Sequence, residues 1–284
     1  MRMSKITYES ALREGSALLQ AASIYDAQLD AWYLLEHVTG LRRVDYMIRA
    51  KEDMPVDWYE NYQQLLKKRA LHIPLQYLTG SQEFMGLSFH VNESVLIPRQ
   101  DTERLVEEVL KESKNKDILE LCTGSGCIIV SLAKIGEIKK AVAVDISLDA
   151  IKVAKENAIA NDVSVTYLQS DMFTNVFGTY DVIVSNPPYI ETEVIRGLMP
   201  EVKDHEPRIA LDGDADGLKF YRILAKESGR FLNANGKIYL EIGCNQAVPV
   251  SELLIQNGFS QISVIKDYAG LDRVVSAVYQ GDIK

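Results

Sequence analysis

The chain has 284 residues, more than one domain usually contains, and its composition of 47% hydrophobic and 25% charged residues is typical of a globular protein. We therefore expect one large and one small domain. No membrane-spanning segment or export signal is expected, because the apolar runs are far shorter than the roughly 20 residues of a transmembrane helix. The net charge of −9 disfavours direct binding of nucleic acid, whose phosphates attract basic proteins.

The first predicted element is a helical domain. From about Tyr8 to Leu71, apolar residues recur at the spacing of amphipathic helices. Asp26 is expected to cap the second helix, Gly40 to end it and Pro55 to begin a later one. These signals predict a small helical bundle over residues 1–75. Because its amphipathic pattern is separate from the rest of the chain, we expect it to recognise the substrate.

The helical period is lost after this bundle. Glycines punctuate the next stretch, and short apolar runs at 87–91 and 95–97 have the length of strands. The sequence therefore predicts a β-hairpin linker over residues 76–98.

The remaining residues, 99–284, alternate helical patterns with short apolar runs. Seven such runs are expected to form strands, at 118–121, 141–144, 163–168, 181–185, 237–242, 261–265 and 273–279. Strands separated by helices form a mostly parallel sheet, whereas the last two runs are too close for a crossover helix and should be antiparallel. The predicted fold class is α/β, a doubly wound, Rossmann-like sheet preceded by the helical bundle and the hairpin.

A glycine-containing turn follows the first strand of this sheet. Gly124 and Gly126 lack a Cβ, so the backbone can approach a ligand closely there. A structural turn or a dinucleotide site remains an alternative, but the complete GxGxxG pattern is missing and the Glu120 carboxylate would repel a pyrophosphate. The sequence favours a cationic ligand without phosphate, such as S-adenosylmethionine. The residues expected to contact it here are Glu120, Cys122, Thr123, Gly124, Ser125 and Gly126.

Two further acidic positions follow the next strands. Asp145 ends the second strand, where a carboxylate can accept hydrogen bonds from both ribose hydroxyls; the alternative is that it caps the next helix. Asp171 follows the third strand and is expected to meet the adenine amino group while Met172 covers the ring. Asp171 could equally be a turn residue.

The most specific motif is Asn186-Pro187-Pro188-Tyr189, directly after a buried strand. Proline cannot continue the strand ladder, so the chain leaves the sheet at the carboxyl end, where open α/β sheets bind ligands. A simple strand stop is the alternative, but it does not explain the flanking amide and phenol.

This motif suits methyl transfer to a planar nitrogen. The side-chain oxygen of Asn186 and the backbone carbonyl of Pro187 can each accept one N–H of an NH₂ group, which aims its lone pair at the methyl group. The Tyr189 ring can stack on the planar substrate. Asn186, Pro187, Pro188 and Tyr189 are therefore the candidate catalytic residues.

The cysteines and histidines show no disulfide or metal-binding pattern. The three cysteines include no Cys-x-x-Cys pair, and the four histidines lie far apart. We expect free thiols, a cytoplasmic location and no metal.

The motif belongs to a longer pattern that resembles the release factor glutamine N5-methyltransferases, the PrmC/HemK family of class I methyltransferases. Nearly the whole chain takes part, through the segments Pro74–Gly80, Phe84–Gly86, Ile97–Glu103, Glu206–Leu211 and Leu240–Gly243. The chain departs from the family pattern at three positions. Glu120 stands where the family usually has Asp, and Cys122 stands where Gly is common. Gln100 stands where Pro often follows the arginine, here Arg99.

The resemblance implies the reaction and its partners. The cofactor would be S-adenosyl-L-methionine, with S-adenosyl-L-homocysteine as product. The substrate would be the glutamine of the Gly-Gly-Gln motif in class 1 peptide chain release factors. By position, Cys122–Gly126, Asp145, Met172 and Asn186 would contact the cofactor. We expect a monomer that binds neither nucleic acid nor a membrane.

Two alternatives remain open from the sequence. A DNA or RNA adenine-N6 methyltransferase could use the same Asn186–Tyr189 motif, because an exocyclic amine presents the same two N–H donors. Such an enzyme must flip its base and grip phosphates, and the chain shows no dense basic cluster. The non-enzyme alternative is a binding module that has lost its catalytic activity. The intact Asn186–Tyr189 motif argues against this alternative.

Overall fold

The computed structural model describes residues 6–281, which divide into two compact units. The first unit contains the described part of Met1–Gly80 together with Pro200–His205, a segment from much later in the chain. The second contains Ser81–Met199 and the described residues from Glu206 onward. The predicted domain boundaries stay a prediction. The return of Pro200–His205 to the helical unit is a feature that the sequence did not indicate.

Helices and strands are numbered separately along the chain. The helices are α1 Tyr8–Ala21, α2 Ala27–Thr39, α3 Arg43–Arg49, α4 Val56–Ala70, α5 Leu75–Thr79, α6 Gln100–Leu110, α7 Cys127–Ile135, α8 Leu148–Ala160, α9 Thr192–Ile195, α10 Pro200–Lys203, α11 Lys219–Glu227 and α12 Ala247–Gln256. The strands are β1 Ser81–Phe84, β2 Leu87–His90, β3 Asp117–Leu121, β4 Lys140–Asp145, β5 Thr166–Gln169, β6 Tyr180–Ser185, β7 Leu232–Glu241, β8 Phe259–Lys266 and β9 Asp272–Tyr279. No helix among the described residues is long and apolar enough to cross a membrane.

The helical unit forms where the sequence predicts helices. Gly40 ends α2 in the left-handed conformation, as predicted. Asp26 stands at the N-cap of α2 but its side chain makes no capping hydrogen bond, so that detail was wrong. The core of this unit includes Tyr62, whose hydroxyl donates to the Ala31 carbonyl at 3.0 Å and so joins α4 to α2.

Buried ion pairs attach the late segment to this unit. Arg69 on α4 donates to Asp30 at 2.7 Å and to Glu201 of α10 at 3.0 Å, and all three side chains are largely buried. His72 Nδ1 lies 3.0 Å from the same Glu201 carboxylate. Removing one partner of such a pair leaves a buried charge without compensation, at a cost of about 3–5 kcal/mol.

The second unit is built on a seven-stranded sheet, counted over the described residues, with the order β5-β4-β3-β6-β7-β9-β8. The strands from β5 to β7 are parallel, whereas β9 runs antiparallel between β7 and β8. This arrangement confirms the predicted fold class. One buried apolar cluster packs each face of the sheet, because successive side chains of the central strands point to opposite faces.

Three predicted strands differ from the structure by three residues or more. Strand β5 begins at Thr166, because the backbone N–H of Val163 closes α8 by donating to Ala158. Strand β7 begins at Leu232, earlier than expected, across a register irregularity. Residues 95–97 form no strand. There the backbone N–H groups of Ser94 and Val95 donate to Asn92 and that of Ile97 donates to Glu206, so the hairpin pairs β1 with β2 instead.

Gly15→Ala tests the packing of α1. In an exposed helix this change would stabilise by about 1 kcal/mol. Here an added Cβ would lie 2.9 Å from Tyr62 Cζ and 3.0 Å from Leu66 Cδ1, and Tyr62 is fixed by its hydrogen bond. We expect the free energy of unfolding to fall by about 1–3 kcal/mol in urea titrations followed by circular dichroism. Ser16→Ala on the same helix is the control and should change it by less than about 0.5 kcal/mol. A stabilised Gly15→Ala variant would contradict this packing.

Candidate active site

A cavity of about 360 Å³ opens at the carboxyl ends of β3, β4 and β6. These strands are neighbours, so the segments that follow them meet at one edge of the sheet. The predicted site residues that line the cavity are Cys122, Thr123, Gly124, Ser125, Asp145, Asp171, Met172, Asn186 and Pro188. Those outside its lining are Glu120, Gly126, Pro187 and Tyr189.

The turn after β3 is built on three left-handed residues. Cys122 has φ +59°, Gly124 +54° and Gly126 +78°. A Cβ on Gly124 would meet nothing within 4 Å, so the backbone there is open toward a ligand. A Cβ on Gly126 would instead lie 3.0 Å from Ala154 Cβ, because the turn packs against α8 at that point. Cys122 adopts a conformation that favours glycine.

Glu120 supports this turn from behind. Its carboxyl is fully buried, accepts the Thr123 hydroxyl at 2.5 Å and accepts the Ile129 N–H at the start of α7 at 3.3 Å. Burial raises the pKa of Glu120 to about 8, although these two hydrogen bonds oppose the rise. The sequence argument that its charge would repel a pyrophosphate therefore does not hold, because the group is buried, largely neutral at pH 7 and outside the cavity lining.

Asp145 is held at the cavity wall by backbone donors. One carboxylate oxygen accepts the Gly124 N–H and the other the Ser147 N–H, each at 2.9 Å. Burial raises the pKa of Asp145, although these hydrogen bonds oppose the rise. The cap of α8 is Ser147, whose hydroxyl accepts from the Ala150 N–H at 3.2 Å, so the alternative that Asp145 caps this helix is wrong. Each carboxylate oxygen has a further lone pair that can accept a ligand hydroxyl.

The segment after β5 contributes a buried thioether. Met172 is buried, has φ +45°, and its sulfur lies 3.8 Å from that of Cys122. The Ser170 hydroxyl donates to the Met172 carbonyl at 2.8 Å and fixes the segment. Asp171 lies beside it in the cavity lining. The apolar side chain can cover a planar ring, and the carboxylate beside it can accept a hydrogen bond from an amino group on that ring.

The Asn186–Tyr189 segment connects the cavity to the sheet. Asn186 lines the cavity, and its Nδ2 donates to the Thr102 hydroxyl on α6 at 3.3 Å. The Tyr189 ring packs against the buried core, and its hydroxyl donates to Glu241 at 3.3 Å. The Tyr189 carbonyl accepts the side-chain amide of Gln246 at 3.0 Å. Stacking of Tyr189 on the substrate stays a prediction.

Sequence reasoning assigned no role to several residues near the cavity. Thr102 and Arg99 line it, and Arg99 forms an ion pair with buried Glu206. Burial raises the pKa of Glu206, although the Arg99 guanidinium opposes the rise. The segments that carried the family resemblance include Arg99, Thr102 and Glu206, so the resemblance was the signal that could have identified them. Residues 6–281 include no cluster of three His, Cys, Asp or Glu side chains able to hold a metal ion.

The fold is shared with solved methyltransferases. A methyltransferase from Pyrococcus furiosus matches with a TM-score of 0.54 at 22% identity, over 70% of this chain and 91% of that one. A 16S rRNA N2 G1207 methyltransferase from T. thermophilus, solved with AdoMet and guanosine, matches with a TM-score of 0.53 at 18% identity, over 70% of this chain and 49% of that one. The fold, with its cavity at the ends of β3, β4 and β6, is that of the class I S-adenosylmethionine-dependent methyltransferases.

Sequence comparison narrows the class to one family. A model described as the PrmC N-terminal domain matches residues 10–80, and one described as the methyltransferase small domain matches residues 100–199. A release factor glutamine methyltransferase from Clostridium botulinum is 41% identical over 94% of this chain and 97% of its own. One from Agrobacterium fabrum is 38% identical over 91% and 92%. The chain belongs to the release factor glutamine methyltransferase family, which confirms the resemblance drawn from the sequence.

The two glycines of the turn allow a matched test. Gly124→Ala and Gly126→Ala both place a side chain at positive φ, which costs about 1–2 kcal/mol each. Only Gly126→Ala also crowds Ala154, so its free energy of unfolding should fall by about 2–4 kcal/mol in urea titrations. Equal losses in the two variants would show that contact with α8 does not constrain the turn.

Proposed function

We propose that this enzyme transfers the methyl group of S-adenosyl-L-methionine to the side-chain amide nitrogen, N5, of the glutamine in the Gly-Gly-Gln motif of class 1 peptide chain release factors. The observation that carries the proposal is the position of Asn186, in the same cavity lining as Asp145 and the turn after β3. Membership of the release factor glutamine methyltransferase family supports the substrate.

The residues of the cavity fit the cofactor. Asp145 keeps free lone pairs for the two ribose hydroxyls, and Asp171 with Met172 suits the adenine. The open backbone at Gly124 allows close approach of a ligand. S-adenosylmethionine supplies a methyl group that its positive sulfur has already activated. No metal is therefore needed to activate it.

The task left to the protein is to orient a poor nucleophile. An amide nitrogen shares its lone pair with the carbonyl group, so two acceptors must hold its N–H groups and stabilise the positive charge that develops. The Asn186 side-chain oxygen and the Pro187 carbonyl are the proposed acceptors. Pro187 and Pro188 are buried, which holds the segment rigid at the end of β6.

We further propose that the enzyme acts in the cytoplasm as a monomer, without a direct nucleic-acid or membrane partner. The net charge of −9 supports the absence of a nucleic-acid partner, because binding to phosphates requires clustered basic residues. The cytoplasmic location is supported by the substrate, because release factors act where proteins are synthesised.

Asn186→Ala tests the catalytic assignment. The change removes one acceptor at the reacting nitrogen, so the rate of methyl transfer should fall roughly 10²- to 10³-fold. The measurement is single-turnover transfer of radiolabelled methyl to a purified release factor at saturating S-adenosylmethionine. Unmethylated DNA and RNA in parallel reactions test the adenine-N6 alternative.

Asp145→Ala is the contrasting variant. It should weaken cofactor binding in titration calorimetry by at least about tenfold, since hydrogen bonds to a charged group contribute about 1.5–3 kcal/mol each, and should leave the rate at saturation far less changed. A near wild-type rate for correctly folded Asn186→Ala would refute the catalytic assignment. Transfer to nucleic acid but not to the release factor would refute the substrate.

We also propose that the helical unit recognises the release factor. Helix α3 leaves three apolar side chains exposed, Val44 at 66%, Met47 at 78% and Ile48 at 77%. Exposed apolar groups that lie together on one short helix are typical of protein-binding surfaces. Basic residues flank them, since Arg42, Arg43 and Arg49 lie at the two ends of the same helix.

Met47→Glu tests this surface in the full-length chain. The KM for the release factor should rise about tenfold, as expected when a charge enters the centre of an interface, with kcat and cofactor affinity unchanged. The matched control is Ile159→Glu on α8, where a side chain of similar size is 80% exposed. The same rise in both variants, or in neither, would exclude a specific role for α3.

A further inference from the structure

A chain of polar side chains lies beneath the Asn186–Tyr189 segment. Asn186 Nδ2 donates to the Thr102 hydroxyl at 3.3 Å, and the Tyr189 hydroxyl donates to Glu241 Oε1 at 3.3 Å. The Thr102 hydroxyl also lies close enough to the Glu241 carboxyl to lower its pKa. Thr102 and Glu241 are both buried. Three segments distant in sequence, α6, the end of β6 and the end of β7, therefore meet around one carboxyl group.

The direction of these hydrogen bonds determines which end of the Asn186 amide faces the cavity. A threonine hydroxyl has one proton to donate. When Thr102 accepts from Asn186 Nδ2, its own proton needs an acceptor. The buried Glu241 Oε2 has no hydrogen-bond partner among the described residues, so it is the oxygen that can accept this proton in a hydrogen bond. If Thr102 donated to Asn186 instead, the amide would turn over and present N–H groups to a substrate that itself brings N–H groups.

We propose that Glu241 is a positioning residue for methyl transfer. Its carboxylate accepts a hydrogen bond from the Thr102 hydroxyl, which leaves Thr102 as the acceptor of Asn186 Nδ2 and turns the Asn186 oxygen toward the substrate amide. It also accepts a hydrogen bond from the Tyr189 hydroxyl. The inference rests on the proposed function and deepens it. Glu241 ends β7 and does not line the cavity, so it acts through Thr102 and Tyr189 and not by contact with the substrate.

The orientation depends on the ionisation of Glu241. Burial raises the pKa of Glu241 to about 7, although Thr102, the Arg273 charge and Tyr189 oppose the rise. Below this pH the carboxyl is protonated and becomes a donor, so Thr102 can lose its acceptor. The orientation that accepts the substrate is therefore favoured as the pH rises through 7. The titratable and charged groups around Glu241 are Asp101 on α6, Cys127 on α7, Tyr189 after β6, Tyr221 on α11 and Arg273 on β9.

Thr102→Val and Thr102→Ser form the matched pair for kinetics. Valine keeps the shape and removes the hydroxyl, so kcat should fall about 5- to 10-fold, as for loss of one hydrogen bond, while the KM for the release factor stays within about twofold. Serine restores the hydroxyl and should recover most of that loss.

The pH dependence of kcat tests the role of Glu241. In the wild type, kcat should rise with pH around 7. Glu241→Gln has nearly the same shape but cannot ionise, so it should lose this rise.

A second readout needs no turnover. The side-chain NH₂ resonances of Asn186 in ¹⁵N-labelled protein, assigned by their loss in Asn186→Ala, should shift with a midpoint near pH 7 in the wild type. The shift should be absent in Glu241→Gln and in Thr102→Val. This measurement reports the orientation of the amide directly.

The outcomes separate this inference from the proposed function. Equal kcat values for Thr102→Val, Thr102→Ser and the wild type would overturn the inference while transfer to the release factor stands. Asn186 resonances that do not respond between pH 6 and 8, or that respond equally in Glu241→Gln, would overturn it as well. A wild-type protein that fails to methylate release factors but shows the Asn186 titration would refute the function and support the positioning role of Glu241.

Discussion

The site depends on the pairing of β3 between β4 and β6. In register, Leu121 lies beside Val144 on one side and Ser185 on the other, so the three strands end level with one another. The glycine turn, Asp145 and Asn186 each follow within a residue or two of these positions. Two contacts fix the alignment: the Thr123 N–H donates to the Val144 carbonyl, and the Ser185 hydroxyl donates to the Leu121 carbonyl. A shift of one residue in either pairing would move its side chains to the opposite face and dismantle the site.

Buried carboxyl groups surround the cavity on several sides. Burial raises the pKa values of Glu120, Asp145, Glu206 and Glu241, because each lies largely out of water. Their partners differ. Glu120 and Asp145 accept from backbone N–H groups, Glu206 is paired with Arg99, and Glu241 is surrounded by hydroxyl groups with Arg273 nearby. Charge at this site is therefore set mainly by burial, which the local hydrogen bonds and ion pairs oppose.

Local sequence was sufficient for the order of elements, and most of the site residues that it predicted do line the cavity. The alternation of helices and strands, the left-handed end of α2 at Gly40 and the antiparallel final strands followed from patterns within a few residues. The turn at Gly124 and the strand exit at Pro187 were also predictable, because each depends on backbone properties of single residue types. Strand limits were less accurate at β5, β7 and the hairpin, where turns and a register irregularity override apolar pattern.

The tertiary structure decided which side chains face one another. Alternation along β3 predicts that Glu120 and Leu121 point to opposite faces of the sheet. Only the tertiary structure shows that α7 lies against Glu120 and that burial raises the pKa of its carboxyl. Thr102 meets Asn186 across 84 residues, and Tyr189 meets Glu241 across 52, so no local pattern could have joined them. The attachment of Pro200–His205 to the helical unit through Glu201 is of the same kind. The sequence determines the elements in which these residues lie and their local conformation. Their contacts and pKa values depend on strand pairing and burial, which arise only when distant segments fold together.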